Sequence, residues 1–138
     1  MTLDVSSLNL AIEALSRSLR VYFNKDQDTT SDDELDTIRA GVIQSFEFTY
    51  ELCWKFMKRW LEMNIGTESV DGVSRRELFR LAAESRLIND VEKWMEFHYA
   101  RNKTSHTYGG EAAQNVFEAS NDFLPYAQDF FSKLNEKL

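Results

Sequence analysis

Residues 32–64 read DDELDTIRAGVIQSFEFTYELCWKFMKRWLEMN, and the spacing of their apolar side chains decides the fold class. Leu35, Ile38, Val42, Phe46, Thr49, Cys53, Phe56 and Trp60 recur at intervals of three and four, the period of one helix face. Ile43, Tyr50, Trp54, Met57 and Leu61 make a second stripe about a quarter turn away. The stretch predicts one helix of roughly 50 Å at ~1.5 Å per residue. An apolar arc this wide is packed on two sides. Either the helix is central in a bundle, or its second stripe faces another subunit. A bare patch of this kind is unusual on a soluble monomer, so we expect a symmetry mate to cover Tyr50, Trp54 and Met57 in a two-fold dimer.

The flanks carry start and stop signals. Ser31-Asp32-Asp33-Glu34 is a capping box, with a serine that accepts from a first-turn N–H and a glutamate three residues on. Gly66 supplies the stop. Upstream, Val5, Leu8, Ile12, Leu15, Leu19 and Tyr22 line one face of another helix, and the polar stretch after it reads as a solvated loop. Downstream, TESVDGV reads as a loop, and Ser74-Arg75-Arg76-Glu77 opens a helix over SRRELFRLAAESRL. Asn89 or Asp90 caps the next one, where Val91, Trp94, Met95 and His98 share a face until Gly109-Gly110 interrupts. A last helix follows through Ala113, Phe117, Leu124, Ala127, Phe131, Leu134 and Leu138, with Pro125 kinking or breaking it. Four to five helices with short connections predict an all-α, up-and-down antiparallel four-helix bundle, a single domain over 1–138 that dimerises through its long second helix.

Composition agrees. The 138 residues are 43% hydrophobic and 28% charged, which is ordinary for a globular domain. Five glycines, one proline and twelve Val plus Ile are too few for the turns and β-branched strands of an all-β fold. One cysteine, Cys53, excludes a disulfide within the chain. The net charge of −7 argues against a broad nucleic-acid-binding face but leaves room for a small basic pocket. The N-terminus lacks the basic start of a signal peptide, and no apolar run approaches the ~18 residues of a membrane span, so a cytoplasmic protein is expected.

The aromatics, the methionines and Cys53 lie on apolar stripes and read as core. His98 and His106 stand eight residues apart, about 12 Å along a helix, too far to share one metal. With no i, i+4 histidine pair, neither a metal nor another cofactor is expected. The stretch that does not read as packing is ARNKTSHTYGG, residues 100–110. His98, Asn102 and His106 fall one turn apart, so Asn102 is placed to hold the His106 imidazole in one tautomer. Arg101 lies about 140° round an ideal helix from His106, and the two converge only if the helix frays or a second subunit completes the site. A helix C-terminus favours a cationic imidazole that exchanges protons near neutral pH. An arginine beside it is a permanent planar phosphate clamp. The pair suits metal-free phosphodiester cleavage, in which His moves protons and Arg stabilises the phosphorane. The plain alternative is a polar helix end that carries a histidine.

Arg101-x4-His106-x-Tyr108 resembles the R-x4-H-x-Y signature of HEPN domains of the HepT toxin type. IQSFEFTYELCWKFMKRWLE, SRRELFRLAAESRLI and ARNKTSHTY are similar to three blocks of the nucleotidyltransferase substrate-binding proteins, and the likeness runs over about residues 5 to 135. The F-E-x-x-x-E helix of Phe46, Glu47 and Glu51, well upstream of the motif, makes the match specific. The resemblance implies a helical bundle that pairs so that two R-x4-H motifs line one cleft. It implies metal-independent RNase activity through Arg101 and His106. It also implies a minimal nucleotidyltransferase partner that adenylylates Tyr108. Glu47, between Ile43 and Tyr50 on the second stripe, is a charge that needs a partner. Arg101 is the candidate, within the bundle or across the dimer, as part of the site or as a plain structural bridge.

The expected function is therefore partner subunit of a nucleotidyltransferase, with ribonuclease capacity toward RNA. Neither a membrane nor DNA is an expected partner. The alternative is a non-catalytic subunit that presents a nucleotide or substrate to the transferase, with the same Arg and His binding phosphate without cutting it. The charge of −7 favours the alternative, and the complete motif favours the nuclease.

Overall fold

The computed structural model describes residues 3–103 and 110–138. Six α-helices follow in order: α1 (Ser6–Phe23), α2 (Asp32–Ile65), α3 (Thr67–Val70), α4 (Arg75–Glu84), α5 (Val91–Lys103) and α6 (Gly110–Glu136). No strand occurs among the described residues.

The caps explain why the helices begin where they do. The Ser31 Oγ accepts the Glu34 N–H at 3.1 Å, and the Ser74 Oγ accepts that of Glu77 at 3.1 Å. At the start of α5 the cap is Asp90, whose Oδ1 accepts the Lys93 N–H at 3.0 Å. Gly66, at φ +99°, ends α2 in a conformation that disfavours any residue with a Cβ.

Helix count and boundaries depart from the sequence reading in three places. Instead of four to five helices there are six among the described residues, because the stretch expected as a loop contains α3, one turn closed by the Asp71 N–H to the Thr67 carbonyl at 2.8 Å. That turn tucks Val70 into the core, and four residues are too few to show a period. The helix expected to reach Leu87 stops at Glu84. There Arg86 adopts φ +62°, the Arg86 N–H bonds the Ala83 carbonyl at 3.0 Å, and the Leu87 N–H bonds that of Ala82 at 2.9 Å. These are the two hydrogen bonds of a Schellman stop, with arginine in the place that glycine usually takes. Buried Leu87 anchors it. Pro125 does not break α6, which runs through it with the proline ring exposed.

α1 packs along α2, and both pack on α6; α5 lies against α2 and α6, and α4 against α2 and α5. One core joins Leu8, Ile12, Leu15 and Leu19 of α1 to Val42, Phe46, Cys53 and Phe56 of α2. The core face of α6 is Ala113, Val116, Phe117, Ser120, Phe123, Ala127, Phe130 and Leu134. It therefore runs through Phe123 and Phe130, where hydropathy alone selects Leu124 and Phe131. Ser120 hides the register, since its hydroxyl is buried and donates to the Val116 carbonyl at 2.8 Å.

The second stripe of α2 is covered by this chain itself. Tyr50, Met57 and Leu61 are buried, and Ile43 and Trp54 half-buried, within the one chain. No symmetry mate is needed over Tyr50 and Met57, because α4 and α5 fold back across that side of α2. The helix is central, as the first of the two readings of its wide apolar arc has it.

Candidate functional site

Three helices meet where the polar residues gather. α2 supplies Tyr50, Glu51 and Trp54 within about one turn of its second stripe, α4 supplies Arg75 at its first position, and α5 supplies His98, Arg101 and Asn102. The Arg101 Nε donates to the Glu51 Oε1 at 3.1 Å, and the Trp54 Nε1 donates to the Glu51 Oε2 at 3.0 Å. Both carboxylate oxygens are thus occupied, and the arginine is held at Nε, the base of its planar fork. The two charged side chains are 30% and 31% exposed, enough for water to screen the pair. Its main effect is orientation.

Beside it, the Tyr50 hydroxyl and the His98 Nδ1 are 2.8 Å apart, and the Asn102 Nδ2 reaches the His98 Nε2 at 3.3 Å. With the amide donating to Nε2, the neutral ring carries its proton on Nδ1 and the tyrosine oxygen accepts it. Burial lowers the proton affinity of His98, and the Arg75 and Arg101 guanidiniums press the same way against the opposing Glu51 carboxylate. Burial likewise raises the Tyr50 hydroxyl well above its ordinary value, with Arg75 opposing. Both groups are neutral at pH 7. Burial also pushes up the Cys53 thiol, which leaves it an inert core residue.

The His98 shift has a consequence for stability. The folded chain binds the imidazole proton less readily than the unfolded chain, whose histidine titrates near 6.5. Stability from this group is full above ~6.5, declines as the pH falls through that value, and levels off below the folded value. Urea melts taken from about pH 7.5 to about pH 5 should show this decline, and His98→Gln should flatten it. Equal slopes in both proteins would remove His98 as the source.

Arg101 and Asn102 each take a partner within the chain that the sequence reading did not pair with them. The carboxylate brought to Arg101 is that of Glu51, one turn beyond Glu47, which stays half-buried on α2. The imidazole brought to Asn102 is that of His98. His106 and Tyr108 lie outside the described residues. No group of three or more His, Cys, Asp or Glu able to hold a metal occurs among the described residues.

The family described as nucleotidyltransferase substrate binding protein like matches residues 3–136. The chain belongs to this family. A Haemophilus influenzae protein named probable ribonuclease HepT is 39% identical over 103 residues, covering 74% of this chain and 70% of that protein. A solved Haemophilus influenzae structure, described as revealing the fold of a substrate binding domain of a nucleotidyltransferase, has a TM-score of 0.90 at 33% identity, covering 96% of this chain and 99% of that one. A crystal structure from Thermus thermophilus has a TM-score of 0.67 at 27% identity, covering 90% of this chain and 98% of that one.

In this member of the family, sequence reasoning found Arg101 and Asn102 but left Tyr50, Trp54 and Arg75 among packing or capping residues, and took His98 only as a neighbour of Asn102 on one helix face. For Tyr50 and Trp54 no signal separates them from core, since each occupies an apolar stripe, whereas His98 stands four residues before Asn102, the spacing of its observed contact. Arg75 does carry a signal. It places a cation at a helix N-terminus, against the helix dipole. Among the described residues, no helix is long and apolar enough to cross a membrane.

Proposed function

We propose that the chain is the helical partner of a minimal nucleotidyltransferase and a metal-independent HEPN-type ribonuclease, with Arg101 and His106 carrying the chemistry. The observation that supports this most directly is the fixture at the end of α5. Arg101 of the R-x4-H-x-Y motif is held at Nε by Glu51, whose other oxygen is tied to Trp54. An arginine oriented in this way is suited to a phosphorane, whose charge develops only in the transition state. In this reading the RNA 2′-hydroxyl attacks phosphorus as His106 takes its proton. The 5′-oxygen leaves with a proton from a second acid, which a second copy of the motif supplies across a two-fold cleft. The name of the Haemophilus influenzae relative, probable ribonuclease HepT, points the same way.

Incubation of the chain with RNA in excess EDTA tests the mechanism. Cleavage should persist, and cleavage that vanishes in chelator and returns with magnesium would rule the metal-free route out.

Tyr108, two residues beyond His106, gives a second test. Adenylylation there by the cognate transferase places a phosphate among the groups that hold the substrate phosphate, so the modified chain blocks its own site. Intact mass after incubation with the transferase and ATP should rise by one adenylyl group, and Tyr108→Phe should show no adduct. The modified chain should no longer cut RNA.

One observation favours the other reading, a non-catalytic subunit presenting a nucleotide to the transferase. The net charge of −7 disfavours long RNA over a small phosphate ligand. Absence of both cleavage and adduct would decide for it.

A further inference from the structure

The least settled charge in the described structure is Arg75. Its guanidinium lies over the Trp54 ring with Cζ 3.6 Å from the centroid, a close stacked contact. Its Nη1 is sealed from solvent and has no hydrogen-bond partner. Among the described residues no carboxylate pairs with it, whereas its neighbour Arg76 is paired with Glu92 and Arg80 lies 3.6 Å from Glu77. It also occupies the first position of α4, where the helix dipole favours an anion and opposes a cation. Half-buried charges are ordinarily paired, because desolvation without a partner is unfavourable.

The surroundings point inward to the site already described. Arg75 acts on Tyr50 through a side-chain hydrogen bond as well as its charge, and on His98 through its charge, as Arg101 does. Trp54, on which Arg75 lies, shares the Glu51 carboxylate with Arg101. Two guanidiniums therefore act on one imidazole, with the Glu51 carboxylate opposing them. The first-turn N–H groups of α4 add to the positive potential on the same side.

We propose that Arg75 is a second anion-binding residue of this site, and that its guanidinium takes a nucleotide phosphate. The phosphate supplies what the described residues do not: acceptors for the Arg75 Nη1. Arg101 and Arg75, from different helices, then grip the anion from two sides, and Trp54 sets the plane of the second fork. The inference rests on the reading that this site takes phosphate-bearing ligands. It does not require that the phosphate be cut.

Binding is the test, measured in EDTA by fluorescence anisotropy with a short labelled RNA carrying 2′-deoxy substitutions, and by calorimetry with AMP. Wild type should bind at least one probe. Arg75→Gln should weaken that binding by roughly tenfold or more, the size of one lost charge-assisted contact. Arg80→Gln, on the exposed side of the same helix, should change it by less than about twofold. Loss confined to the RNA identifies a phosphodiester ligand, and loss with AMP a phosphomonoester. If Arg75→Gln does not keep its helical CD signal, Arg75→Lys replaces it, retaining the charge without the planar fork. Weaker binding by a folded Arg75→Lys supports the proposal, and wild-type binding overturns it. Equal losses in the Arg75 and Arg80 variants, or no binding of either probe by wild type, also overturn it. Binding through Arg75 with no RNA cleavage leaves the inference standing and removes the nuclease. Cleavage that ignores Arg75 does the reverse.

Discussion

Arg101→Ala should lower the proposed RNA cleavage by roughly 10²- to 10³-fold, the loss that follows removal of one oriented donor from developing negative charge. The fold should survive. The Arg101–Glu51 pair is about one-third exposed, and such pairs contribute at most about 1 kcal/mol. Glu51 keeps the Trp54 Nε1 as a partner after the change, so no buried carboxylate is stranded. His106→Ala should cost cleavage a factor of roughly 10²–10⁴, the range for a general acid–base. Glu51→Gln should fall between wild type and Arg101→Ala, because it loosens the guanidinium without removing it. Single-turnover cleavage of one RNA, with far-UV CD on each variant, makes the measurement. Arg101→Ala cleaving within about threefold of wild type, against the expected loss, would remove Arg101 from the chemistry.

The second large effect is on stability. Trp94 is 1% exposed, and its ring meets Phe79 at 5.8 Å, Phe97 at 6.0 Å, Phe123 at 5.5 Å and Phe130 at 6.1 Å between centroids. It joins α5 to α4 through Phe79 and to α6 through Phe123 and Phe130. Trp94→Ala removes all four contacts and leaves a cavity that four rigid rings close poorly, a loss of about 3–5 kcal/mol. Against the ~5–15 kcal/mol of a typical domain, that is a large share. Because α5 also carries His98 and Arg101, the variant should lose ligand binding before it loses its helical signal. Urea melts should show a clear drop in midpoint, while Leu10→Ala, at a residue 64% exposed, should stay within about 0.5 kcal/mol of wild type. Matching midpoints for the two variants would mean that the aromatic cluster does not hold the helices together.

Much of the fold is legible in the chain. Ser31 with Glu34 and Ser74 with Glu77 start α2 and α4 where the capping pattern places them, since a cap is a contact between residues three apart. The first stripe of α2 is buried at Val42, Phe46, Thr49, Cys53 and Phe56, because hydrophobic period is a local property of a helix. What fails is what local pattern cannot encode. The stop of α4 at Arg86 is a left-handed residue that is not glycine, and the core face of α6 passes through a serine that hydropathy discards.

By itself the sequence determined an all-helical chain, the span of its long helix, and Arg101 within R-x4-H-x-Y as the residue to watch. The first two follow from spacing and side-chain chemistry along the covalent chain, and the third from the resemblance that the motif carries. Only the tertiary structure decided which partners those residues take. The way α4 and α5 cross α2 sets Glu51, not Glu47, opposite Arg101, seats His98 on Tyr50, and lays Arg75 over Trp54. Glu47 and Glu51 are four residues apart on one stripe, so nothing local distinguishes them. The choice is made by the register in which one helix packs upon another, and that register is fixed by the whole core at once.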